Sequence, residues 1–218
     1  MKITLLIISL FTFSFSNAQI TKGNLFIGGD VYLAISNTNN TNANSDISRS
    51  SNFGFSPTIG WVTKENLVVG ASILTNFSSN NYANSDNYNR SRRIGAGVWM
   101  RKYLPLGKSF YLFGNGRLSV QSLYNSNSSF AQPNFYKDKG YSINVGFVPG
   151  IAYQVNKRLF LDAALNNLFS LDYERKNTEY QNSGSPNIKR STNFFNLSSG
   201  IGSGTPLQVG MRWMIVRK

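Results

Sequence analysis

Apolar and polar residues alternate along most of this 218-residue chain. An alternation of period two is typical of a β-strand whose two faces meet different surroundings. The pattern predicts eight strands, each with one apolar parity and one parity rich in Gly, Ser, Asn and scattered charge. Their approximate bounds are 25–35, 53–61, 67–77, 93–101, 112–121, 141–155, 159–173 and 195–215.

One pair of strands occurs twice. Residues 54–71 read GFSPTIGWVTKENLVVGA, and residues 146–163 read GFVPGIAYQVNKRLFLDA. The offset between the copies is even, so equivalent side chains keep the same face of a strand. The similarity is either an internal repeat or chance resemblance between two apolar hairpins; both interpretations make these segments strands. Pro57 and Pro149 recur at equivalent positions, and because each removes a hydrogen bond from a sheet ladder, they predict a repeated bend or bulge.

The connections between the strands alternate in length. Short turns are predicted at 64–66, 105–109 and 156–158, and long polar loops at 37–50, 78–89, 125–139 and 176–192. Strands of about 10 to 15 residues exceed the ~9–11 that a tilted strand needs to cross a membrane. Together these features predict an all-β fold, an eight-stranded antiparallel up-and-down transmembrane β-barrel. A bulge is expected within 200–206, and aromatic girdles at the strand ends are expected from Tyr32, Trp61, Tyr103, Tyr111, Tyr141, Tyr153, Tyr173 and Trp213.

The N-terminus carries a targeting signal. Residues 1–18 combine Lys2, an apolar run and small residues before the expected cleavage point, which predicts a signal peptide followed by a barrel over residues 19–218. The apolar run is too short for a membrane-spanning helix, which is the alternative interpretation. The net charge of +13 could suit nucleic acid, an anionic membrane or acidic glycans. Export argues against nucleic acid as a partner, and together with the predicted barrel it predicts the cell outer membrane.

Two hairpins carry a resemblance to a known family. Their motifs are Pro57-x-Ile59-Gly60-Trp61 with Asn66-Leu67-Val68-Val69-Gly70, and Arg101-x-Tyr103-Leu104-Pro105-Leu106 with Phe110-Tyr111-Leu112-Phe113. The sequence resembles the small porin-like outer-membrane β-barrel domain family, similar to the OmpA transmembrane domain and OmpX. The resemblance implies an eight-stranded barrel inserted by the barrel assembly machinery. Such barrels usually end on an aromatic residue, and the stretch 213–218, WMIVRK, departs from that pattern.

Five charged residues fall on the polar parity of their strands, within about eight residues of the short-turn end. Lipid exposure of an Arg at the membrane midplane would cost roughly 2–4 kcal/mol, so these side chains should face the lumen. Asp30 and Asp162 can each pair with Arg212, whereas Arg101 and Arg117 need partners across the lumen. The set forms either a buried ion-pair network that plugs the barrel or a gate that opens when the pairs exchange.

Basic residues also cluster at the ends of the predicted long loops. They form either a solvated surface or contacts with the phosphates of outer-leaflet lipopolysaccharide, which guanidinium groups suit geometrically. The expected phosphate contacts are Arg90, Arg92, Arg93, Lys189 and Arg190. Arg49, Lys137, Lys139, Arg175 and Lys176 add to this basic rim.

Catalysis is not expected. Known barrel enzymes of this membrane resemble one another in needing a His, and the chain has neither His nor Cys, so we expect no cofactor and no Cys- or His-ligated metal. The sequence favours a monomeric outer-membrane barrel with a structural role or a role in contacting an unknown surface ligand. The alternatives are a narrow gated pore for small solutes and a secreted ligand-binding barrel of the lipocalin type, with its apolar face turned inward.

Overall fold

The computed structural model describes residues 20–39, 47–82, 88–128, 134–165, 168–182, 188–199 and 207–216. The predicted signal peptide, residues 1–18, lies outside the described residues. No helix that could cross a membrane occurs in the described part of the chain. Its ten strands are β1 Leu25–Asn39, β2 Ile47–Lys64, β3 Leu67–Tyr82, β4 Tyr88–Pro105, β5 Phe110–Ser128, β6 Asn134–Gln154, β7 Leu159–Leu165, β8 Phe169–Asn182, β9 Ile188–Ser199 and β10 Leu207–Ile215.

The strands form one closed antiparallel barrel. Strands β1 to β6 pair with their neighbours in chain order. Strand β6 then pairs with β7 near the short turns and with β8 further along, while β10 pairs with both β7 and β1. Because β7 and β8 share one position in the wall, and β9 and β10 share the next, the wall has eight positions. This confirms the predicted all-β, eight-stranded antiparallel barrel.

The two repeated prolines lie where the ladder is interrupted. Between β2 and β3 the register passes from Phe55 opposite Thr75 to Thr58 opposite Ser72, leaving Pro57 unpaired on that side. The Thr75 hydroxyl adds a hydrogen bond at this irregularity, because it donates to the Phe55 carbonyl oxygen at 2.7 Å. Pro149 likewise has no partner on the side of β7 and β8 among the residues that the structure describes. The predicted irregularity therefore occurs in both copies.

The described residues of the four predicted long loops are all strand, which corrects the loop bounds. Strands β1 and β2, for example, continue their ladder as far as Asn39 opposite Ile47. A strand whose two faces both meet water needs no alternation of apolar and polar residues, so the pattern stops although backbone pairing continues. We call the end of the barrel that carries these extensions the long-loop end. The predicted bulge within 200–206 lies outside the described residues.

The apolar parity faces outward, and the lumen has two zones. On β1, for instance, Ile27, Val31 and Leu33 are 45%, 47% and 64% exposed, as expected for side chains that meet lipid. Near the short turns the inward parity is apolar and aromatic, whereas polar and charged side chains follow further up. Tyr103 and Tyr111 face the lumen near the short turns at 1% exposure, and Tyr32 lines the lumen further up. The predicted place of these three residues in the outward aromatic girdle is therefore wrong.

Among the described residues, the pairing that closes the wall covers its lower half, the half nearer the short turns. Strand β1 pairs with β10 only from Leu25 to Val31. From Tyr32 onward, β1 pairs with β2 alone among the described residues, and β9 pairs with β8 alone. The edges of β1 and β9 therefore border a seam in the half of the wall nearer the long-loop end.

Candidate functional site in the barrel lumen

Two aspartates and an arginine meet on three adjacent strands. Asp30 on β1 is opposite Gly210 on β10, which in turn is opposite Asp162 on β7. Gly210 has no side chain, and a Cβ at this position would collide with the Asp30 carboxylate. The space between Asp30 and Asp162 is therefore available to their two carboxylates. Arg212 lies two residues along the same face. Its Nη2 donates to Asp30 Oδ1 at 3.0 Å and to Asp30 Oδ2 at 3.1 Å, and its Nη1 lies 2.8 Å from Asp162 Oδ2.

Arg101 reaches this cluster from the opposite side of the lumen. It extends from β4, and its Nη1 donates to Asp162 Oδ2. The guanidinium lies 3.9 Å from the ring centroid of Phe113, an arrangement that stabilises a desolvated cation through the electron-rich face of the ring. The side chains of Arg101, Asp162 and Arg212 are only 2–3% exposed. The structure thus joins four of the five predicted lumen residues in one network of buried ion pairs.

Arg117, the fifth predicted lumen residue, lies beside this network. It borders the same internal cavity as Asp30, Arg101 and Arg212. The carboxylates of Asp172 and Asp30 act on it electrostatically. Arg117 therefore belongs to the same polar zone, on the side nearer the long-loop end.

An aromatic layer lies below the ion pairs. Phe26 and Tyr103 are stacked with their ring centroids 6.3 Å apart, and Phe160 packs edge-on against Phe26 at 5.4 Å. The layer is completed by Tyr111, whose ring contacts Tyr103 at 5.9 Å, and by Phe113. All five rings are at most 3% exposed. Five buried aromatic side chains therefore pack together across this level of the lumen.

The beginning of the described chain closes the layer from below. Ile20 is 1% exposed, and its backbone N–H donates to the side chain of Asn66 at 3.0 Å while its carbonyl accepts from the Asn66 N–H at 3.0 Å. Asn66 is held in the left-handed region, with φ of 58°, in the turn between β2 and β3. This reciprocal pair fixes the segment that precedes β1 against the short-turn end.

The predicted phosphate contacts divide between the two faces of the wall. Arg90 and Arg92 share the outward parity of β4 with Ile94, and both are exposed. Lys189 is also exposed on the outward parity of β9 and pairs with Glu179 at 3.0 Å. Arg93 faces the lumen instead, where it lies 3.5 Å from Glu174.

Arg190 lies on the inward parity of β9, a strand that is exposed on nearly all its positions. The structure therefore brings Arg90, Arg92 and Lys189 to one face and places Arg93 and Arg190 on the other. The outward basic face also includes Arg49, Lys137, Lys139 and Arg175, all of them exposed. It lies beyond the exposed apolar positions of the same strands, toward the long-loop end.

Metal ligation has no support in the geometry. Among the described residues, no three Asp or Glu side chains come together in a group that could hold a metal ion. The chemistry of the lumen is that of hydrogen bonding and ion pairing.

Comparison with known proteins was made by sequence and by structure. No family model matches the sequence, and no curated protein matches it. By structure, the chain is similar to the outer membrane protein OprG from Pseudomonas aeruginosa, with 10% identity, a TM-score of 0.51, and coverage of 89% of this chain and 97% of OprG. The chain has the fold of a small outer-membrane β-barrel. The translocator domain of autotransporter NalP from Neisseria meningitidis matches with 11% identity, a TM-score of 0.47, and coverage of 98% and 94%.

Sequence reasoning missed the aromatic layer of this barrel. The signal was available, because Phe26, Tyr103 and Phe113 fall on the same parity as the predicted lumen charges. They were hidden by the usual expectation that the interior of a membrane barrel is polar. An eight-stranded barrel is narrow enough for side chains to fill it, and so its lumen can be a core in the ordinary sense.

Proposed function

We propose that the chain is an integral outer-membrane barrel that is closed to solutes and has a structural or surface-contact role. Two features support a membrane position. Exposed apolar side chains surround the outer face of the barrel, and a continuous apolar surface of this size is typical of a protein that faces a membrane. The predicted signal peptide favours export, and a closed barrel leaves no sheet edge in its lower half.

The aromatic layer is the observation that best supports a lumen closed to solutes. In the plug we propose, the ion pairs form an upper layer and the five rings form a lower one. A gate that worked by exchange of ion pairs would still leave Phe26, Tyr103 and Phe160 packed across the lumen. Loss of the upper layer alone should therefore not open a path for ions.

Planar-bilayer conductance tests the two layers separately. The unaltered protein and Arg101→Ala should both be silent, whereas the double variant Tyr103→Ala, Phe160→Ala should pass ions because it removes two rings from the lower layer. Heat-modifiable gel migration checks that each variant is folded. Steady conductance from the unaltered protein, or openings created by Arg101→Ala, would contradict the plug and favour the narrow gated pore. A water-soluble monomer without detergent would instead support the lipocalin-type alternative.

The outward basic face supports a second part of the proposal, contact with lipopolysaccharide phosphates. Arg90 and Arg92 are exposed toward the membrane side of the wall, each near a tyrosine ring: Arg90 lies 5.1 Å from Tyr88 and Arg92 lies 5.8 Å from Tyr124. Among the described residues, Glu179 is the acidic side chain on this face at that height. The excess of positive charge suits the phosphates of an anionic lipid.

Co-purification tests this contact with a matched control. The triple variant Arg90→Gln, Arg92→Gln, Lys189→Gln should carry less lipopolysaccharide through detergent extraction. The control replaces three exposed cations at the opposite end of the barrel: Lys64→Gln, Lys157→Gln, Arg158→Gln. Both triples lower the net charge by the same amount. Equal lipopolysaccharide in the two preparations would refute a specific contact at the long-loop end.

The remaining parts of the proposal concern activity and partners. We propose no catalytic activity, since the sequence offers neither a His nor a Cys as base or nucleophile. We further propose a monomer, inserted by the barrel assembly machinery, whose long-loop end meets an unidentified surface ligand. Sedimentation in detergent would test the monomer.

A further inference from the structure

The lumen contains a polar cup above the plug. This cavity of about 420 Å³ begins at the ion pairs, at the level of Asp30, and extends toward the long-loop end as far as Ser78 and Ser91. We propose that it binds a small, uncharged, hydroxyl-rich solute, such as a monosaccharide or disaccharide, from the long-loop end. This inference goes beyond the closed barrel: it gives the closed lumen a ligand that enters and leaves by the same mouth.

The lining of the cup matches the hydrogen bonding of sugar hydroxyls. An amide side chain offers both donors and an acceptor, and a hydroxyl group offers both in one atom, so each can face a sugar hydroxyl in either sense. One edge is already ordered, because Asn76 Nδ2 donates to Asn52 Oδ1 at 2.9 Å. The lining includes Tyr32, Asn52, Ser56, Asn76, Gln121 and Gln208.

The charges around the cup favour an uncharged ligand. Asp30 is paired with Arg212 at 3.0 Å, and Arg93 lies 3.5 Å from Glu174. Arg117 lies in the field of Asp172 and Asp30. An anionic or cationic solute would have to compete with one of these existing partners and leave a charge uncompensated in a partly buried site, which is costly. A neutral polyol avoids that cost.

The floor of the cup supplies an independent observation. A smaller cavity of about 40 Å³ shares Asp30, Arg117 and Gln208 with the cup and reaches down to Trp99. Several nearly fully buried polar atoms near it have no hydrogen-bond partner: Trp99 Nε1, Arg101 Nε, Asp162 Oδ1 and Arg212 Nε. At roughly 10–15 Å³ for each water, this space suits about three waters that would satisfy such atoms. The floor of the cup therefore offers polar atoms to a ligand or to water rather than an apolar surface.

Trp99 makes the proposal measurable. The chain has three tryptophans, and Trp61 and Trp213 lie on the outward face at 47% and 45% exposure. Replacing both by Phe leaves Trp99, beneath the cup, as the reporter. We expect titration of this protein in detergent with glucose, maltose and N-acetylglucosamine to give a saturable change in Trp99 fluorescence emission for at least one of the three sugars.

Paired variants decide where the sugar binds. In the same background, Gln121→Leu with Gln208→Leu removes two amides of the cup and should weaken binding by about tenfold or more, as the loss of two hydrogen bonds would. The control Gln154→Leu removes an amide that accepts from Tyr111 at 3.0 Å near the short turns, and it should bind like the parent. Gel migration confirms folding of each variant.

Three outcomes would overturn the inference. They are no saturable signal with any of the sugars, equal affinity in the cup variant and the control, or tighter binding of glutamate, lysine or phosphate than of every sugar. The test is independent of the plug, because a conducting barrel could still bind sugar in the cup and a silent barrel could fail to do so. Emission titration and conductance therefore report on the two proposals separately.

Discussion

Asp162 accepts a hydrogen bond from Arg101 across the lumen, although 61 residues separate them in the chain. Both side chains are 2–3% exposed, so each charge depends on the other for compensation. Asp162→Asn removes the negative charge and leaves two buried guanidinium groups facing one carboxylate. We expect it to lower the free energy of unfolding by about 3–5 kcal/mol, the usual cost of breaking a buried pair. Urea unfolding in lipid vesicles measures this loss.

A second substitution distinguishes charge from packing at this site. Adding Arg101→Met to Asp162→Asn restores the balance, because Arg212 then retains Asp30 as its partner. Most of the lost stability should return, since an apolar side chain of similar volume often replaces a buried ion without loss. If the double variant is no more stable than Asp162→Asn alone, uncompensated charge is not the cause.

The packing of the Trp99 ring depends on Gly60 of β2, which is separated from β4 in the wall by β3. A Cβ added at Gly60 would meet only side-chain atoms, at 2.6 Å from Trp99 Cη2 and 2.9 Å from Val68 Cγ1. We predict that Gly60→Ala destabilises the barrel by about 1–3 kcal/mol through overcrowding. The loss of stability caused by Gly60→Ala should be smaller in a Trp99→Leu background. As a control, Gly116→Ala should leave stability unchanged, because a Cβ at Gly116 meets nothing within 4 Å. Equal costs for Gly60→Ala in both backgrounds, measured by urea unfolding, would contradict this packing.

The barrel was predictable because a wall with one apolar and one polar face imposes a strict alternation on the sequence. Each strand must alternate where one face meets hydrocarbon, and the parity of Asp30, Arg101, Asp162 and Arg212 followed from the same rule. The partner that Arg101 would find was not predictable, since Asp162 meets it across the lumen and not along a neighbouring strand. Which residues share a height depends on the stagger of the strands, and alternation does not encode that stagger.

Two expectations failed where the physical constraint changes. Strand extensions such as 37–39 of β1 have water on both faces, so their Asn and Thr residues gave a loop-like pattern while the backbone ladder continued. Tyr103 and Tyr111 were expected at the lipid interface because aromatic residues are common there. Their parity placed them in the lumen, and parity is the stronger constraint because a shift of one residue would move every neighbouring side chain to the wrong face.

The Glu179–Lys189 pair should respond to acid. The Lys189 ammonium lies 3.0 Å from Glu179 Oε1, and its hydrogen bond and charge lower the pKa of Glu179 from the ordinary value of 4.5. A lowered pKa means that the pair stabilises the folded state above the ordinary pKa, and that this contribution disappears as the pH falls through the lowered pKa. In a titration followed by NMR of the Glu179 carboxyl carbon, we expect a midpoint below 4.5. Lys189→Gln should raise that midpoint, and an unchanged midpoint would show that the pair does not form in solution.

Strand β9 should be the least protected part of the described wall. It pairs with β8 alone, its residues are exposed on almost every position, and the facing edge of β1 beyond Tyr32 has no second partner among the described residues. A strand with one free edge opens at lower free energy than a strand paired on both sides. Strand β10, paired with both β1 and β7, is the matched reference because it continues the same wall position. Hydrogen exchange in detergent should therefore be much faster for the alternate amides of β9 that face the seam than for those of residues 209–213. Equal protection of the two strands would mean that β1 and β9 are paired in solution and that the seam is closed.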